Sequence, residues 1–119
     1  MRARQLIFAV AAAVGALSFG ASPAMAHDSA TAVVYDNSGN RAGMAYVRGG
    51  HTVMYVCDQL ADGIGVYGRM KLQNGTIQDI SDTNGSAAGC AQGRTSSSNP
   101  IVSFQVVWRG GTASSWLNA

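Results

Sequence analysis

The fold is decided by one stretch of the chain, Ile64-Gly-Val-Tyr-Gly-Arg-Met-Lys-Leu-Gln-Asn-Gly-Thr-Ile-Gln-Asp-Ile80. From residue 64 to residue 72, apolar side chains alternate with Gly, Tyr, Arg and Lys, which is typical of a strand that buries one face. Gly68 interrupts the apolar face, where we expect a bulge or room for a bulky neighbour. Asn74-Gly75 predicts a hairpin, because both residues tolerate the positive φ of a two-residue type I′ turn. Residues 76–80 should therefore return beside the first strand.

Further extended segments precede this hairpin. Residues 31–35 and 43–47 are separated by turn-forming residues and predict another hairpin. After Arg48-Gly-Gly50 the chain can reverse again, and residues 51–57 follow as a segment that is apolar on both faces. We expect this segment to be a central strand.

The second half of the chain is less regular. Residues 81–100 are rich in Ser, Gly, Asn and Asp, and we expect a long loop held in its middle by Cys90. A last strand is predicted over residues 101–108. Its expected core face consists of Val102, Phe104, Val106 and Trp108.

These segments predict an all-β protein, a small antiparallel β-sandwich or barrel of about six strands. No segment keeps a helical period over three turns. A single six-stranded sheet is disfavoured, because without helices it would leave one apolar face in water. We expect one domain over residues 27–119.

The first 26 residues resemble an export signal. Residues 1–4 carry two arginines, residues 6–20 lack charge, and Ala24-Met-Ala26 places small residues where signal peptidase cleaves. The uncharged run is shorter than the ~20 residues of a spanning helix. We therefore predict cleavage after Ala26 and release of the mature protein outside the cell.

Two cysteines, Cys57 and Cys90, are present in the whole chain. An exported domain meets an oxidising environment, so the simplest prediction is one disulfide between them. A metal-binding pair or a catalytic thiol is the alternative, but the sequence has no C-x-x-C spacing and no second cluster of ligands.

The charge of the mature chain limits its partners. Arg2 and Arg4 lie in the predicted signal, and their removal from eight basic residues leaves six against six acidic ones. A neutral chain lacks the long-range field that attracts proteins to nucleic acids or anionic membranes. We expect neither partner.

Two histidines suggest one metal site. Cleavage after Ala26 would make His27 the N-terminal residue, which can chelate copper through its α-amine and ring, with His51 as a second imidazole. In that respect the chain resembles histidine-brace copper proteins. The alternative is that His27 is an arbitrary first residue and that His51 caps a turn. Whether the rings approach each other cannot be read from the sequence, and we predict no metal and no cofactor.

The acidic residues match no calcium loop. Asp79, Asp82, Asn84 and Gly85 are rich in oxygen ligands, but the EF-hand register requires an acid where Ile80 stands, and the mature chain contains no glutamate to close such a loop. Turn formation by Asn84-Gly85 explains these residues more simply.

Hydrolase chemistry finds equally little support. Within the predicted fold His51 is the single available base, and no serine lies in a nucleophile-elbow motif. Asp58 and Asp62 are a conceivable carboxylate pair, but aspartates around a glycine-containing turn usually stabilise the turn. We predict that the protein is not an enzyme.

Aromatic residues are the best candidates for binding. The chain has Tyr and Trp residues that can stack on sugars or anchor a protein interface. For Tyr55 and Trp108 we favour a role in filling the core. Trp116 lies in the tail after Gly110-Gly111 and either folds back onto the core or stays exposed. The candidate binding residues are Tyr67, Trp108, Arg109 and Trp116.

Short motifs carry two resemblances. Val56-Cys-Asp58, Asp62-Gly63, Asp82-x-Asn84-Gly85 and Gly89-Cys90 resemble a group of small secreted actinomycete proteins without an assigned function. That resemblance spans roughly residues 31–116 and implies export, β structure and the Cys57–Cys90 link. Trp108-Arg109 is also similar to the W-R-Y turn of secreted actinomycete α-amylase inhibitors, although Gly110 replaces the aromatic residue and that family has two disulfides.

Together these features predict a secreted, non-catalytic β-domain that binds an extracellular protein or carbohydrate. A small inhibitor of secreted enzymes such as glycosidases is the alternative, followed by a copper-binding protein or a structural component of the cell surface.

Overall fold

The computed structural model describes residues 27–82 and 89–119, and the predicted signal lies outside them. Within these ranges the chain contains strands and no helix. The strands form two antiparallel sheets that pack face to face as a sandwich, which confirms the all-β prediction. No helix in the described residues is long and apolar enough to cross a membrane.

Nine strands are present in the described part of the chain, two of them only two residues long. They are β1 (Ala32–Tyr35), β2 (Arg41–Val47), β3 (Val53–Asp58), β4 (Val66–Leu72), β5 (Ile77–Ser81), β6 (Ala91–Arg94), β7 (Ile101–Trp108), β8 (Thr112–Ala113) and β9 (Leu117–Asn118).

The first sheet has the order β1-β2-β3-β6, so β3 is an interior strand as its two-sided apolar pattern predicts. The predicted β1–β2 hairpin is confirmed. Its turn is held by the side chain of Asp36, whose Oδ1 accepts the backbone N–H groups of Ser38 at 2.9 Å and Asn40 at 2.8 Å. These bonds, chiefly the one from Asn40, lower the pKa of Asp36.

The second sheet has the order β5-β4-β7-β8, and β9 also pairs with β7. The predicted β4–β5 hairpin is present, but the prediction of a two-residue type I′ turn is wrong. Gly75 has a φ of +92° whereas Asn74 has a negative φ, and Leu72 N–H bonds to Thr76 O across a three-residue loop. The Oδ1 of Asn74 accepts the N–H of Thr76 at 3.0 Å, so Asn74 acts through its side chain.

The predicted long loop over 81–100 is wrong in the described part of that range. Residues 91–94 form β6, which pairs with β3. The sequence gives little sign of it, because Ala91-Gln-Gly-Arg94 has no large apolar side chain to mark a buried face. Gly93 is nevertheless buried, because the side chain of Ile80 on β5 occupies the space beside it.

The strand β7 is present as predicted, but two details differ. It is followed by β8 and β9, so it is not the last strand. Val102 is exposed instead of buried, because Leu72 pairs with Ile101 and Lys71 with Ser103, leaving Val102 in a bulge. Ile101 takes its place in the core. Similarly, Ile64 lies exposed before β4 begins.

The core lies between the two sheets and consists of their inward-facing apolar residues. Gly68 on β4 lies directly against side chains of the facing sheet, and a Cβ there would overlap Val56 and lie 2.7 Å from Cε of Met54. The β4 pairings continue past Gly68 without a register shift. Of the two predicted roles, room for bulky neighbours is therefore confirmed.

The predicted disulfide is also present. Cys57 at the end of β3 is bonded to Cys90, directly before β6, with the two Cα atoms 4.4 Å apart. The bond lies within the first sheet and fastens its edge strand β6 to β3.

We expect Gly68→Ala to reduce the free energy of unfolding by about 1–3 kcal/mol, because the added methyl group overpacks the core against Val56 and Met54. Urea unfolding would measure this loss. Lys71→Ala, on the exposed side of the same strand, is the control and should change stability by less than about 0.5 kcal/mol. Equal stability of the two variants would contradict the close approach of the sheets at Gly68.

Replacement of both Cys57 and Cys90 by Ala should destabilise the domain by about 3.5–4 kcal/mol, the chain-entropy value for a loop of 33 residues. A domain of this size has little more stability than that to lose, so we expect a substantial unfolded population at 37 °C. Circular dichroism melting would detect it. An unchanged melting temperature would show that β6 docks without the crosslink.

Candidate functional site

Tyr67 and Arg109 are brought together on the outer face of the second sheet. The guanidinium carbon of Arg109 lies 4.7 Å from the centre of the Tyr67 ring. The same guanidinium donates a hydrogen bond to Ser81 Oγ at 2.7 Å. The pair is therefore a fixed cation–π contact on a polar face.

Trp108 is separated from this pair. It is only 7% exposed and belongs to the core, which confirms the preferred prediction for it. Its indole N–H donates to Oδ2 of Asp62 at 3.0 Å, so the buried polar atom is satisfied. Gly110 lies against the ring, and a Cβ at that position would overlap the indole. Trp108 is thus unable to offer its ring to a partner.

Trp116 lies between β8 and β9 and is 40% exposed, so of its two predicted positions the structure shows the exposed one. The binding residues predicted from sequence are therefore dispersed. Tyr67 and Arg109 touch each other, Trp108 is in the core, and Trp116 stands on a separate segment.

A second aromatic cluster occupies the outer face of the first sheet. Tyr46 on β2 and Tyr55 on β3 are directly paired, and their rings stack with centroids 5.1 Å apart and planes within 13°. The guanidinium carbon of Arg48 lies 5.4 Å and 5.3 Å from the two ring centres. Interaction with the Tyr46 side chain raises the pKa of Arg48.

The prediction that Tyr55 fills the core is therefore wrong. Its neighbours Met54 and Val56 face inward and are fully buried, so strand alternation turns Tyr55 outward. A signal for this cluster exists in the sequence, since Tyr46 and Arg48 lie two positions apart on one strand face. The pairing with Tyr55 depends on the register of the hairpin, which the sequence pattern leaves open.

Half-buried apolar side chains surround the tyrosine pair, and arginines flank them. Arg41 contacts Sδ of Met44 at 3.4 Å and bonds to Gln59, and Arg94 bonds to Gln92. We call this surface the tyrosine face. It comprises Val33, Met44, Tyr46, Val53, Tyr55, Arg41, Arg48 and Arg94.

Both outer faces carry basic side chains. The tyrosine face carries three arginines, and the one carboxylate in the strands of the first sheet, Asp58, is 7% exposed. On the second sheet Arg69 pairs with Asp79, with 3.1 Å between the charged atoms, and Lys71 and Arg109 are exposed. Residues 27–119 carry six basic and six acidic side chains, yet the outer face of the first sheet is positively charged.

Asp58 and Asp62, which the sequence predicts to stabilise a turn, both accept backbone N–H groups within it. Asp58 Oδ1 accepts the N–H of Leu60 at 3.1 Å, and Asp62 Oδ1 accepts that of Ile64 at 2.9 Å. The Ile64 bond is the main reason that the pKa of Asp62 is lowered, whereas burial raises the pKa of Asp58. Both side chains therefore have the predicted role of turn formers.

The calcium-loop candidates are also accounted for where they are described. Asp79 pairs with Arg69, and Asp82 accepts the backbone N–H of Asp58 at 2.8 Å. Asn84 and Gly85 lie outside the described residues. Among the described residues no three His, Cys, Asp or Glu side chains form a metal-binding group.

A shallow groove of about 160 Å³ lies beside β1. It is smaller than the roughly 300–1,000 Å³ of sites that enclose small molecules. Its lining consists of Thr31, Ala32, Val33, Ser114, Ser115 and Leu117.

Comparisons with models of protein families, with curated proteins and with solved structures found no match to this chain.

Asp62→Ala should lower the free energy of unfolding by about 1–2 kcal/mol, because it leaves the indole N–H of Trp108 and the N–H of Ile64 without acceptors. Asp62→Asn retains one acceptor oxygen and should give an intermediate loss. Urea unfolding measures this loss. In a Trp116→Phe background the tryptophan fluorescence that follows unfolding comes from Trp108 alone. Wild-type stability of Asp62→Ala would mean that the Trp108 bond contributes nothing.

Proposed function

We propose that the protein is exported and acts as a non-catalytic binding domain whose tyrosine face holds an extracellular protein. The stacked Tyr46–Tyr55 pair, flanked by Arg48, is the observation that supports this function. A disulfide-bonded domain of this size is compatible with an extracellular location.

The composition of the tyrosine face favours a protein partner. Tyr, Met and Arg are enriched at protein interfaces and Lys is depleted, and Tyr and Arg often contribute most of the binding energy. The face combines two tyrosines, a methionine and two arginines on strands, with Arg48 directly after β2. Side chains fixed in this way lose little conformational entropy on association.

The charge of the tyrosine face favours an acidic partner. Arg41, Arg48 and Arg94 are exposed around a half-buried apolar centre, with Asp28 as a nearby opposing charge on Arg48. A complementary surface would present carboxylates around an apolar contact. Such complementarity speeds association and excludes partners of like charge.

The alternative of an enzyme inhibitor has less support from the geometry. Its resemblance depends on Trp108-Arg109, and the Trp108 ring is buried while the guanidinium of Arg109 is held by Tyr67 and Ser81. Inhibition assays against secreted glycosidases remain the direct test of that hypothesis.

We expect the immobilised protein to retain a defined protein from the culture medium of its host. Tyr55→Ser and Arg48→Ser should each reduce retention about tenfold or more, as for residues that dominate an interface. Arg69→Ser and Lys71→Ser, on the opposite sheet, are the matched controls and should retain the partner normally. Raising the salt concentration should weaken binding, because exposed charges are screened.

Two results would contradict this proposal. Retention that is unaffected by Tyr55→Ser and Arg48→Ser would place binding elsewhere. If Trp116→Ala then reduced retention, the partner would bind the segment between β8 and β9. Specific retention on chitin, cellulose or peptidoglycan, with no protein partner, would identify a carbohydrate ligand instead.

A further inference from the structure

The only two histidines of the chain meet in the structure. The ring centroids of His27 and His51 lie 5.1 Å apart, with an angle of 72° between the planes. This is the approach that the sequence left open. The contact lies at the β2–β3 connection, beside the tyrosine face but outside it.

The segment that carries His27 is held against the β2–β3 hairpin by three hydrogen bonds. Asp28 Oδ1 accepts the N–H of Gly49 at 2.7 Å. The N–H of Ser29 donates to Val47 O at 2.9 Å, and Ser29 Oγ accepts the N–H of Val47 at 2.8 Å. The position of His27 next to the hairpin is therefore supported by one main-chain and two side-chain hydrogen bonds of the two following residues.

His51 is fixed from the other side. Its N–H donates to Arg48 O at 3.0 Å and its carbonyl accepts the N–H of Ile101 at 2.9 Å. Its φ of +58° makes it the one non-glycine residue with a positive φ in the described ranges, although Gly50 stands next to it. Residues held in an uncommon backbone conformation often occur at functional sites.

The ring of His51 also has a polar atom without a partner. Nε2 of His51 is buried, and it neither accepts nor donates a hydrogen bond within the described part of the protein. Leaving a buried polar atom unpaired is unfavourable. A ligand that binds this nitrogen would remove the penalty.

The spacing of the two rings fits shared metal coordination. A metal–nitrogen bond of about 2.0–2.1 Å places two imidazoles on one ion with centroids roughly 4.5–6 Å apart. The observed separation of 5.1 Å lies in this range. His27 Nδ1 has a single contact, 3.1 Å from the carbonyl oxygen of Asp28, which is exposed and can be exchanged for a metal bond.

We propose that His27 and His51 form a binding site for divalent copper. The α-amine of His27 would be the third nitrogen ligand, and this ligand depends on the export and cleavage that form part of the proposed function. The amine and Nδ1 of one residue close a chelate ring, and His51 binds from the hairpin. Nitrogen ligands of this kind favour Cu²⁺ over the other divalent first-row ions.

This site has only two side-chain ligands, because the third comes from the main chain. That is why it forms no group of three metal-binding side chains among the described residues. Asp28, the nearest carboxylate in sequence, is already engaged by Gly49.

The test uses the processed protein purified from culture medium. Mass spectrometry first establishes whether it begins at His27. Copper(II) sulfate is then titrated and followed by calorimetry and electron paramagnetic resonance. We expect one ion per chain, sub-micromolar affinity and hyperfine coupling to three nitrogens.

The matched variant is His51→Asn, since Asn tolerates a positive φ but cannot replace the imidazole ligand. It should weaken copper binding by more than about tenfold and remove one nitrogen from the spectrum. Its circular dichroism and urea midpoint show whether it is folded. Lys71→Ala should bind copper like the wild type.

Three results would overturn the site. A chain that does not begin at His27 contradicts the three-nitrogen ligand set together with the predicted cleavage. A chain that begins at His27 but lacks sub-micromolar affinity, or binds no more tightly than His51→Asn, contradicts the site alone. Loss of partner retention in Tyr55→Ser is measured separately, so the binding function can stand or fall without copper.

Discussion

The disulfide between Cys57 and Cys90 is the bond on which the docking of β6 in the first sheet depends. After β5 in the second sheet the chain returns to the first, where β6 supplies just four residues and no large apolar side chain. Hydrophobic burial of such a strand is too small to offset its ordering. The crosslink restricts this return in the unfolded chain as well as in the folded one, and Ile80 over Gly93 completes the junction between the sheets.

Sequence alone predicts those parts of the fold in which side-chain alternation is strong. β4 and β7 follow from it directly, and β5 follows from the Asn74-Gly75 turn. At Gly68 the sequence leaves a bulge and a bulky neighbour as alternatives. β6 is missed because its docking relies on a covalent bond and on a neighbour's side chain rather than on its own apolar residues. Val102 is misplaced because a bulge shifts the alternation by one residue, and the bulge has no distinctive sequence at that position.

The candidate sites are harder to predict for a related reason. Alternation separates the two faces of a strand but does not say which face a second layer covers, and for Tyr55 the covered face is the opposite one. The charge balance of residues 27–119 likewise hides the three arginines of the tyrosine face. The meeting of His27 and His51 depends on hydrogen bonds from Asp28 and Ser29, which no periodic pattern encodes.

Both proposed sites depend on the same connection between β2 and β3. The guanidinium of Arg48 lies over the tyrosines, while its carbonyl accepts the N–H of His51. Asp28 attracts Arg48 electrostatically and binds Gly49, so the segment that carries His27 also stabilises the position of Arg48. Substitutions in this short connection would therefore affect both proposed sites.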